Sequence, residues 1–404
     1  MSIIEQENQF CAHNYHPIPV VLTRARGIYA WDIAGLRYMD MMSAYSAVSH
    51  GHLHPRLVSA LNTQLTQLTI VSRAFYTDKL APFLEKACEL SGQDVALPMN
   101  TGAEAVETAI KAARKWAYTI KGVEKDKAEI ITCEGNFHGR TVTIVGFSTE
   151  EQYKDGFGPF APGFKNIPFG DADALEKAIT PNTAAFLVEP IQGENGIIIP
   201  PEGYLKKCAE ICAKNNVLLI CDEIQTGLGR TGKLFACDHD EVKPDGLILG
   251  KALGGGLLPV SMFLAKKEVM DVFTPGDHGS TFGGNPLAAA VGLEALKLTV
   301  EKQMPEHSAK MGEHFKNELI NLGSPIIKEV RGKGLFIGVE IDEKYTSARK
   351  VCEVLMSKGI LTKETHETVV RFAPPLIITK AELDKAIEII KSTLSEILDG
   401  HAAA

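Results

Sequence analysis

Between about residues 95 and 290, short apolar runs alternate with helical patterns, and this alternation restricts the chain to few folds. The runs that predict strands are EIITC (129–133), TVTIVGF (141–147), AAFLVEP (184–190), VLLICDE (217–223) and DGLILGK (245–251). Helices are predicted at NTGAEAVETAIKAARKW, with an apolar stripe that extends to Ile120, around 202–215 and near PLAAAVGLEALKLT. Continuous apolar runs between helices are typical of a mostly parallel sheet that is covered on both faces. The pattern therefore predicts an α/β fold.

The composition restricts the class of protein. A chain of 404 residues with 45% apolar residues can bury a large core, and its formal charge of -8 implies no basic surface for nucleic acid. No apolar run has the length of a membrane helix, and the N-terminus lacks a secretory or mitochondrial signal pattern, so we expect a cytoplasmic protein with no membrane partner. The eight cysteines contain no C-x-x-C and are predicted to be reduced thiols, and the final HAAA is predicted to be a flexible end.

The segment GLGRTGKL at 227–234 matches a dinucleotide-binding glycine pattern and nearly matches a nucleotide P-loop. Both motifs need a strand directly before the first glycine and a helix directly after the last one. Here the apolar run already ends at Cys221, and the residues after Lys233 carry Pro244 and clustered acids without helical spacing. The flanks therefore argue against a nucleotide site.

Three polar residues follow predicted strands, where ligands collect in parallel sheets: Glu189, Asp222 and Lys251. A strand-end lysine alone is more often a surface charge, but Lys251 precedes ALGGG, whose glycines allow close backbone approach to a ligand. Lysine can form a Schiff base with pyridoxal phosphate, and a carboxylate such as Asp222 can hold the ring nitrogen. The helix that opens at NTGAEA offers amides to a phosphate, and Gly102 permits close approach. Together these features describe one cofactor, pyridoxal phosphate.

Motifs along nearly the whole chain carry a more specific signal. They are AHNYHPIPV, MSAYSAVSHGHLHP, SRAFY, NTGAEAVETAIKAARKW, GNFHGRT, VEPIQGE, DEIQTGLGRTGK, GKALGGG, HGSTFGGNP and VRFAPPL. With them the chain resembles the fold-type I pyridoxal-phosphate aminotransferases, in the subgroup of ornithine, acetylornithine and γ-aminobutyrate aminotransferases. The resemblance implies a large cofactor-binding domain at 46–291 with a mostly parallel seven-stranded sheet. It also implies an N-terminal segment at 1–45 that packs with a small α/β domain at 292–404, and a homodimer with active sites at the subunit interface.

The same resemblance assigns roles around the cofactor. Lys251 is implied to carry the cofactor covalently and, once released, to act as general base and acid, while Asp222 pairs with the ring nitrogen. The other implied cofactor-binding residues are Gly102 and Ala103 at the phosphate, Phe137 at the ring face, His138, Gln225 at the ring hydroxyl, and Ser280 and Thr281 from the second subunit. Ordinary alternatives stay open, since Phe137 can be a core residue and Thr281 a turn residue.

The implied reaction moves the δ-amino group of L-ornithine to 2-oxoglutarate and yields L-glutamate and glutamate 5-semialdehyde. Arg140 is assigned to the far substrate carboxylate and Arg371 to the near one, because an arginine fork pairs bidentately with a carboxylate. Glu194 is implied to pair with Arg371 when the donor has no near carboxylate, which avoids an unpaired buried cation. Tyr15 and Tyr45 are implied to orient the α-amino acid end of ornithine.

Other functions stay open at the level of sequence. Aminotransferases for N-acetylornithine and γ-aminobutyrate share the implied machinery, and the chain departs from the expected pattern at SAVSHGH, at Gly254 and at Asn195. A metal-dependent hydrolase is a distant alternative, since His50 and His52 in HGHLHP have the spacing of an H-x-H ligand pair. A non-catalytic binding protein would require Lys251 to be idle.

Overall fold

The computed structural model describes residues 1–402, and its strands form three sheets. The strands are β1 Leu22–Arg26, β2 Tyr29–Asp32, β3 Arg37–Asp40, β4 Val95–Met99, β5 Glu129–Cys133, β6 Phe164–Ile167, β7 Thr183–Val188, β8 Leu218–Asp222, β9 Gly246–Leu249, β10 Ser261–Ala265, β11 Ile327–Lys333, β12 Phe336–Ile341, β13 Ile360–Leu361, β14 Lys363–Thr365 and β15 Val369–Phe372. The helices are α1 Ile3–Phe10, α2 Ser43–Ser46, α3 Pro55–Leu65, α4 Leu80–Ser91, α5 Gly102–Trp116, α6 Val142–Gly146, α7 Ala172–Ala178, α8 Tyr204–Lys214, α9 Lys267–Met270, α10 Pro286–Glu301, α11 Met304–Asn321, α12 Ala348–Ser357 and α13 Lys380–Ala402.

A seven-stranded sheet in the order β4-β10-β9-β8-β7-β5-β6 forms the centre of the molecule. Strands β6, β5, β7, β8 and β9 run parallel to one another, whereas β10 is antiparallel to both β9 and β4. Helices α5 and α9 cover one apolar face of the sheet, and α4, α7, α8 and α10 cover the other. The predicted mostly parallel sheet with helices on both faces is therefore confirmed.

Two local predictions are wrong. The segment 141–147, predicted as a strand, contains the short helix α6, because the hydroxyl of Thr141 caps it by accepting from the amide of Ile144 at 3.3 Å. The apolar stripe of α5 is buried as far as Trp116, but the chain then continues as a π-helix at Ala117–Lys121. This wider turn changes the phase of the stripe, and Ile120 is 58% exposed instead of buried.

The other two sheets are built from the ends of the chain. One has the order β1-β2-β3-β13, in which β13 near the C-terminus pairs in parallel with β3 near the N-terminus. The other has the order β11-β12-β15-β14, and a second apolar core packs these strands against α11, α12 and α13. The exact domain boundaries at 45 and 291 stay a prediction.

Three smaller predictions concern the thiols, the membrane and the C-terminus. All eight cysteines are free thiols, and Cys208 and Cys212 lie on the core face of α8. No helix within residues 1–402 is long and apolar enough to cross a membrane. His401 and Ala402 belong to α13, and the predicted flexible end otherwise concerns residues 403–404, which lie outside the described residues.

Candidate active site

The carboxyl ends of three neighbouring parallel strands meet at a cavity of about 160 Å³. Asp222 is the last residue of β8, Glu189 follows β7 directly, and Lys251 lies two residues beyond the end of β9. All three residues line this cavity, which we call the strand-end cavity. The other predicted cofactor-binding residues that line it are Gly102, Ala103, Phe137, His138 and Gln225. The sheet therefore brings together the residues that its strand ends predicted.

Asp222 is 4% exposed, and hydrogen bonds fix its carboxylate. Nδ1 of His138 donates to Oδ2 of Asp222 at 2.7 Å, and the amide of Ile224 donates to Oδ1 at 3.0 Å. Burial opposes a charge on His138, but the hydrogen bond to Asp222 and the charge of that carboxylate outweigh burial and raise the His138 pKa. A carboxylate held in this way is suited to bind a protonated ring nitrogen.

Lys251 reaches the strand-end cavity from a 3₁₀ turn, Lys251–Gly254, in which its own backbone has a φ of 44°. Burial lowers the pKa of Lys251, and the negative charges of Glu194 and Asp222 act in the opposite direction. A lysine whose pKa is lowered reaches the neutral amine form more readily, and only that form is a nucleophile or a base. The surroundings of Lys251 therefore favour covalent and proton-transfer chemistry.

The N-terminus of α5 forms the phosphate side of the strand-end cavity. The first-turn amides of Gly102 and Ala103 have no acceptor within the helix, as is usual at a helix N-terminus. The hydroxyl of Thr101 accepts from a third amide, that of Glu104, at 3.2 Å. A Cβ at Gly102 would lie 2.9 Å from Cδ1 of Ile224, so a larger residue there would displace the Ile224 side chain in the cavity wall. Free amides, a buried carboxylate and a buried lysine match the phosphate, the ring nitrogen and the aldehyde of pyridoxal phosphate. The residues present therefore fit this cofactor.

Glu189 had no role in the sequence motifs, although it was one of the strand-end candidates. One of its carboxylate oxygens accepts from the amide of Phe137 at 2.9 Å, and the other accepts from the amide of Gly193 at 3.4 Å. Burial raises the Glu189 pKa to about 7. Because Phe137 lines the strand-end cavity and Gly193 precedes Glu194, this one side chain holds two loops of the site together.

Arg371 and Glu194 form an ion pair beside the cavity, with Nη1 of Arg371 at 2.7 Å from Oε1 of Glu194. Arg371 is only 4% exposed, and the hydroxyl of Thr365 donates to the carbonyl of Glu194. Burial raises the pKa of Glu194, but the positive charges of Arg371 and Lys251 lower it further than burial raises it. Glu194 also lines an adjoining cavity of about 500 Å³, together with Phe137 and Tyr153. The pairing of Arg371 with Glu194 that the motifs implied is present in the structure.

Tyr45 lies over this ion pair, with its ring centroid 4.9 Å from the guanidinium carbon of Arg371. Burial raises the Tyr45 pKa, and Arg371 acts against that increase. The α2 turn that carries Tyr45 is left-handed, with φ values of 50°, 46°, 59° and 75° at residues 43–46. Left-handed backbone costs roughly 1–2 kcal/mol for each residue other than glycine, so contacts with the rest of the protein must hold this turn. Asp40 provides one such contact, accepting from two backbone amides at the start of the turn at 2.9 and 2.8 Å.

Besides the ion pair and Tyr45, four predicted site residues lie outside the lining of the strand-end cavity. Arg140 is exposed, and its guanidinium carbon lies 3.6 Å from the centroid of the Tyr153 ring in the adjoining cavity. Tyr15 is 73% exposed in the N-terminal segment, near enough to Tyr45 to contribute to its raised pKa. Ser280 accepts a hydrogen bond at 2.8 Å from a side chain just before α5, and Thr281 is exposed. Tyr153 was not among the residues predicted from the sequence, since it ends a short 3₁₀ turn, Glu151–Tyr153, that no motif marks.

The two histidines that suggested a metal site belong to separate hydrogen-bond networks. Nε2 of His50 bonds to the hydroxyl of Thr299 at 2.9 Å, and Nε2 of His52 bonds to Asp40 at 2.8 Å. Burial lowers the His50 pKa to about 4. Among residues 1–402, no group of three or more His, Cys, Asp or Glu side chains is arranged to hold a metal ion. The hydrolase alternative therefore has no support from the described residues.

A buried lysine and a buried carboxylate that face an open helix N-terminus define the class as pyridoxal-phosphate enzymes of fold type I. The family Aminotransferase class-III matches residues 10–394, so the chain belongs to the class-III aminotransferases. Class-III aminotransferases depend on pyridoxal phosphate, which confirms both the resemblance and the expected cofactor at the level of the family.

Individual relatives resemble the chain over nearly its whole length. It is 60% identical over 395 residues to an ornithine aminotransferase of Geobacillus sp. (strain WCH70), covering 98% of each chain. The crystal structure of an ornithine aminotransferase from Toxoplasma gondii, with partial occupancy of pyridoxal phosphate, superimposes with a TM-score of 0.96 at 45% identity, covering 99% of this chain and 95% of that one. An acetylornithine aminotransferase from Elizabethkingia anophelis gives a TM-score of 0.88 at 47% identity, covering 97% and 98%.

Proposed function

We propose that the protein transfers the δ-amino group of L-ornithine to 2-oxoglutarate, producing L-glutamate and glutamate 5-semialdehyde, which cyclises to pyrroline-5-carboxylate. The observation that carries the proposal is the ion pair of Arg371 and Glu194, 2.7 Å apart beside Lys251. The pair can be closed or opened by a substrate carboxylate, so one site can bind two dissimilar substrates, ornithine and 2-oxoglutarate, in turn. The 60% identity to an ornithine aminotransferase supports the same substrate.

Pyridoxal phosphate, when bound, supplies an aldehyde that accepts the amino group and a ring that withdraws electrons. Lys251 would hold the aldehyde carbon, and Asp222 would hold the ring nitrogen with His138 behind it. The amides of Gly102 and Ala103 would hold the phosphate. Gln225, 8% exposed in the cavity wall, would bond the ring hydroxyl, and Phe137 would cover one ring face.

Lys251 has a second task in this proposal. Its neutral Nζ would take the proton from the δ-carbon of the donor and deliver it to the former aldehyde carbon of the bound cofactor. The lowered Lys251 pKa suits this task, because a fully charged ammonium cannot accept a proton. Arginine cannot replace the lysine, since a guanidinium is never deprotonated at ordinary pH.

The Arg371–Glu194 pair is proposed to act as a switch between the two donors. Ornithine brings only apolar methylene groups near Arg371, and an unpaired buried cation there would cost several kcal/mol, so the pair stays closed. Glutamate or 2-oxoglutarate brings a carboxylate that replaces Glu194 on the guanidinium. Arg140, beside the adjoining cavity, would bind the second carboxylate of these substrates.

Tyr45 and Tyr15 are proposed to orient the α-amino acid end of ornithine. Tyr45 lies over Arg371 and is half-buried, so it can contact a substrate that passes along the ion pair. Tyr15 is 73% exposed and belongs to the N-terminal segment at 1–45, which we propose packs with the small domain at 292–404. These two tyrosines would separate ornithine from γ-aminobutyrate, which has no α-amino acid end.

A homodimer would complete the site. Ser280 and Thr281 lie outside the cavity of their own chain, and we propose that they reach the phosphate in the partner subunit. Exposed aromatic side chains support a dimer, since Phe282, next to Thr281, is 56% exposed and Tyr76 is fully exposed in the single chain. Light scattering measures the mass of the purified protein; a dimer agrees with the proposal and a monomer contradicts it.

The substrate is tested by single turnover of the protein loaded with pyridoxal phosphate. L-Ornithine, N-acetyl-L-ornithine and γ-aminobutyrate are added separately while the cofactor absorbance is followed. Selective loss of the absorbance with ornithine, restored by 2-oxoglutarate, is the expected result. A stronger response to either other donor would move the function to that branch of the family.

The switch is tested with Glu194→Ala. Without its partner, Arg371 is an uncompensated buried cation when ornithine is bound, so the half-reaction with ornithine should weaken about 10²- to 10³-fold, while the half-reaction with glutamate is retained. Glu294→Ala is a matched control, because it removes a carboxylate from another arginine, Arg56, at 2.5 Å and outside the site. Equal ornithine selectivity in Glu194→Ala and the wild type would reject the switch.

A further inference from the structure

Arg230, in the loop that follows Asp222 and Gln225, has no part in the proposed chemistry. It is 0% exposed and, among residues 1–402, is the largest side chain that is completely buried. No carboxylate of residues 1–402 forms an ion pair with it, although Asp40 is near enough to act on its pKa. Burying an arginine without a direct counter-ion costs free energy unless its guanidinium is hydrogen-bonded, so the hydrogen bonds of Arg230 are central to its role.

The guanidinium of Arg230 joins three segments that are distant in sequence. Nη1 donates to the carbonyl of Leu335 at 2.9 Å and to the carbonyl of Pro374 at 2.6 Å. Nη2 donates to the hydroxyl of Ser49 at 2.9 Å. Pro374 lies three residues after Arg371, so Arg230 ties the loop after Asp222 to the end of the strand that carries Arg371.

The contact with Ser49 continues to the left-handed turn that carries Tyr45. The hydroxyl of Ser49 donates in its turn to the carbonyl of Ser46 at 2.8 Å, at the last residue of the turn. The backbone also joins Ser49 to the segment after Pro374, since the amide of Leu376 donates to the carbonyl of Ser49 at 2.7 Å. A relay of two hydrogen bonds therefore runs from Arg230 through Ser49 to the turn.

A planar fork is needed for this arrangement. Nη1 donates to two carbonyls and Nη2 donates to a hydroxyl, and the planar guanidinium fixes the directions of these hydrogen bonds. A lysine ammonium, at the end of a flexible stem, has no comparable fixed directions. The arrangement therefore specifies the position of the turn relative to Arg371 as well as joining the segments.

We propose that Arg230 is a positioning residue for donor selectivity. Through Ser49 it holds the left-handed turn at residues 43–46 so that Tyr45 lies over Arg371. This inference rests on the proposed function, because it explains how Tyr45 is kept where ornithine would meet it. Loss of the relay releases the turn, and the ornithine half-reaction weakens while the glutamate half-reaction, which depends on the two arginines, is retained.

Ser49→Ala tests the proposal, because it breaks the relay and leaves both carbonyl contacts of Arg230 intact. Ser308→Ala is a matched control: Ser308 is also fully buried, and its hydroxyl donates at 2.9 Å to the backbone carbonyl of Arg230, away from the turn. Hydrogen–deuterium exchange of both variants reports the turn independently of substrate. Single-turnover titrations with ornithine and glutamate report selectivity.

In Ser49→Ala, the amides of Ala47 and Val48, which donate to carbonyls of the turn, should exchange about five- to tenfold faster, and half-saturation by ornithine should rise by a similar factor. Ser308→Ala should change neither quantity more than about twofold. Equal exchange and equal selectivity in the two variants would overturn the proposal. A wild-type protein that does not respond to ornithine would instead overturn the proposed function, and the exchange data would still decide whether Arg230 holds the turn.

Discussion

The strand-end cavity and the left-handed turn differ in the backbone that positions their functional side chains. Asp222 is the last residue of β8 and is fixed by the hydrogen bonds of the sheet, and Lys251 follows β9 by two residues, as a single residue with a positive φ of 44°. Tyr45 lies on a turn of four residues with positive φ, which the local sequence does not favour. The comparison indicates that the ends of regular strands position the catalytic groups, with one left-handed residue at Lys251, whereas four consecutive left-handed residues position the group proposed for selectivity.

The two regions also differ in how their charges are compensated. Around the strand ends, burial lowers the pKa of Lys251 and raises the pKa of Glu189, whereas the hydrogen bond to Asp222 raises the His138 pKa against the effect of burial. Around the turn, Arg371 has Glu194 as a partner, whereas Arg230 has only neutral acceptors. We therefore expect changes of pH to act at the strand ends, whereas hydrogen bonds of fixed geometry determine the position of the turn.

The largest expected effect separates catalysis from selectivity. Lys251→Ala should lower the ornithine half-reaction by at least about 10²–10⁴-fold, the contribution of a well-placed general base, whereas Tyr45→Phe should change donor preference and leave the glutamate half-reaction in place. Stopped-flow absorbance of the cofactor measures both. Lys251→Arg is the control for charge and should be as inactive as the alanine variant. Comparable losses with glutamate in the tyrosine and lysine variants would remove the distinction between the two regions.

The strand ends were predictable because their signal is local. The apolar runs that form β8 and β9 end where polar residues begin, and parallel strands bring those ends to one edge of the sheet. Motifs supplied Arg371 and Glu194, and the structure brings these side chains to 2.7 Å. The strand prediction for 141–147 was wrong because a short capped helix and a buried strand can have the same run of apolar residues.

The left-handed turn was not predictable from the sequence around it. Residues 43–46, SAYS, contain no glycine or asparagine to indicate positive φ. Asp40 holds the start of the turn locally, but other contacts come from distant positions, including the proposed relay from Arg230 through Ser49. The amide of Ala373 also donates to the carbonyl of Met41, just before the turn, at 2.7 Å. Arg230 itself lies in GLGRTGKL. The glycine pattern of this segment resembles a nucleotide motif, which its flanks exclude, and nothing in it indicates a structural role for the arginine.

A smaller effect tests the titration of the strand ends. Burial raises the Glu189 pKa from 4.5 to about 7, so the folded protein binds one more proton than the unfolded chain between these values. The contribution to stability is complete below pH 4.5 and is lost as the pH rises through about 7. Because the His138 pKa is also raised, its contribution has the same sign.

Glu189→Gln cannot titrate, so its stability should depend less on pH. In thermal unfolding between pH 5 and 8, the wild type should lose stability relative to this variant with a slope of up to about 1.4 kcal/mol per pH unit, the effect of one proton. Glu210→Gln, on the exposed side of α8, is the control and should follow the wild type. Parallel curves for wild type and Glu189→Gln would show that Glu189 is ionised in the folded protein throughout this range.

The smallest expected effect tests whether the turn is strained. Ala44, exposed in the turn with φ 46° and ψ 52°, has a conformation that glycine adopts freely, so Ala44→Gly should be neutral or stabilise the protein by up to about 1 kcal/mol. Ala60→Gly, in the middle of α3, should destabilise it by about 1 kcal/mol, since glycine is a poor helix former. Thermal unfolding midpoints of the two variants give the comparison directly. A loss of stability in Ala44→Gly equal to that in Ala60→Gly would mean that the turn stores no strain, and Tyr45 would then need no external support to stay over Arg371.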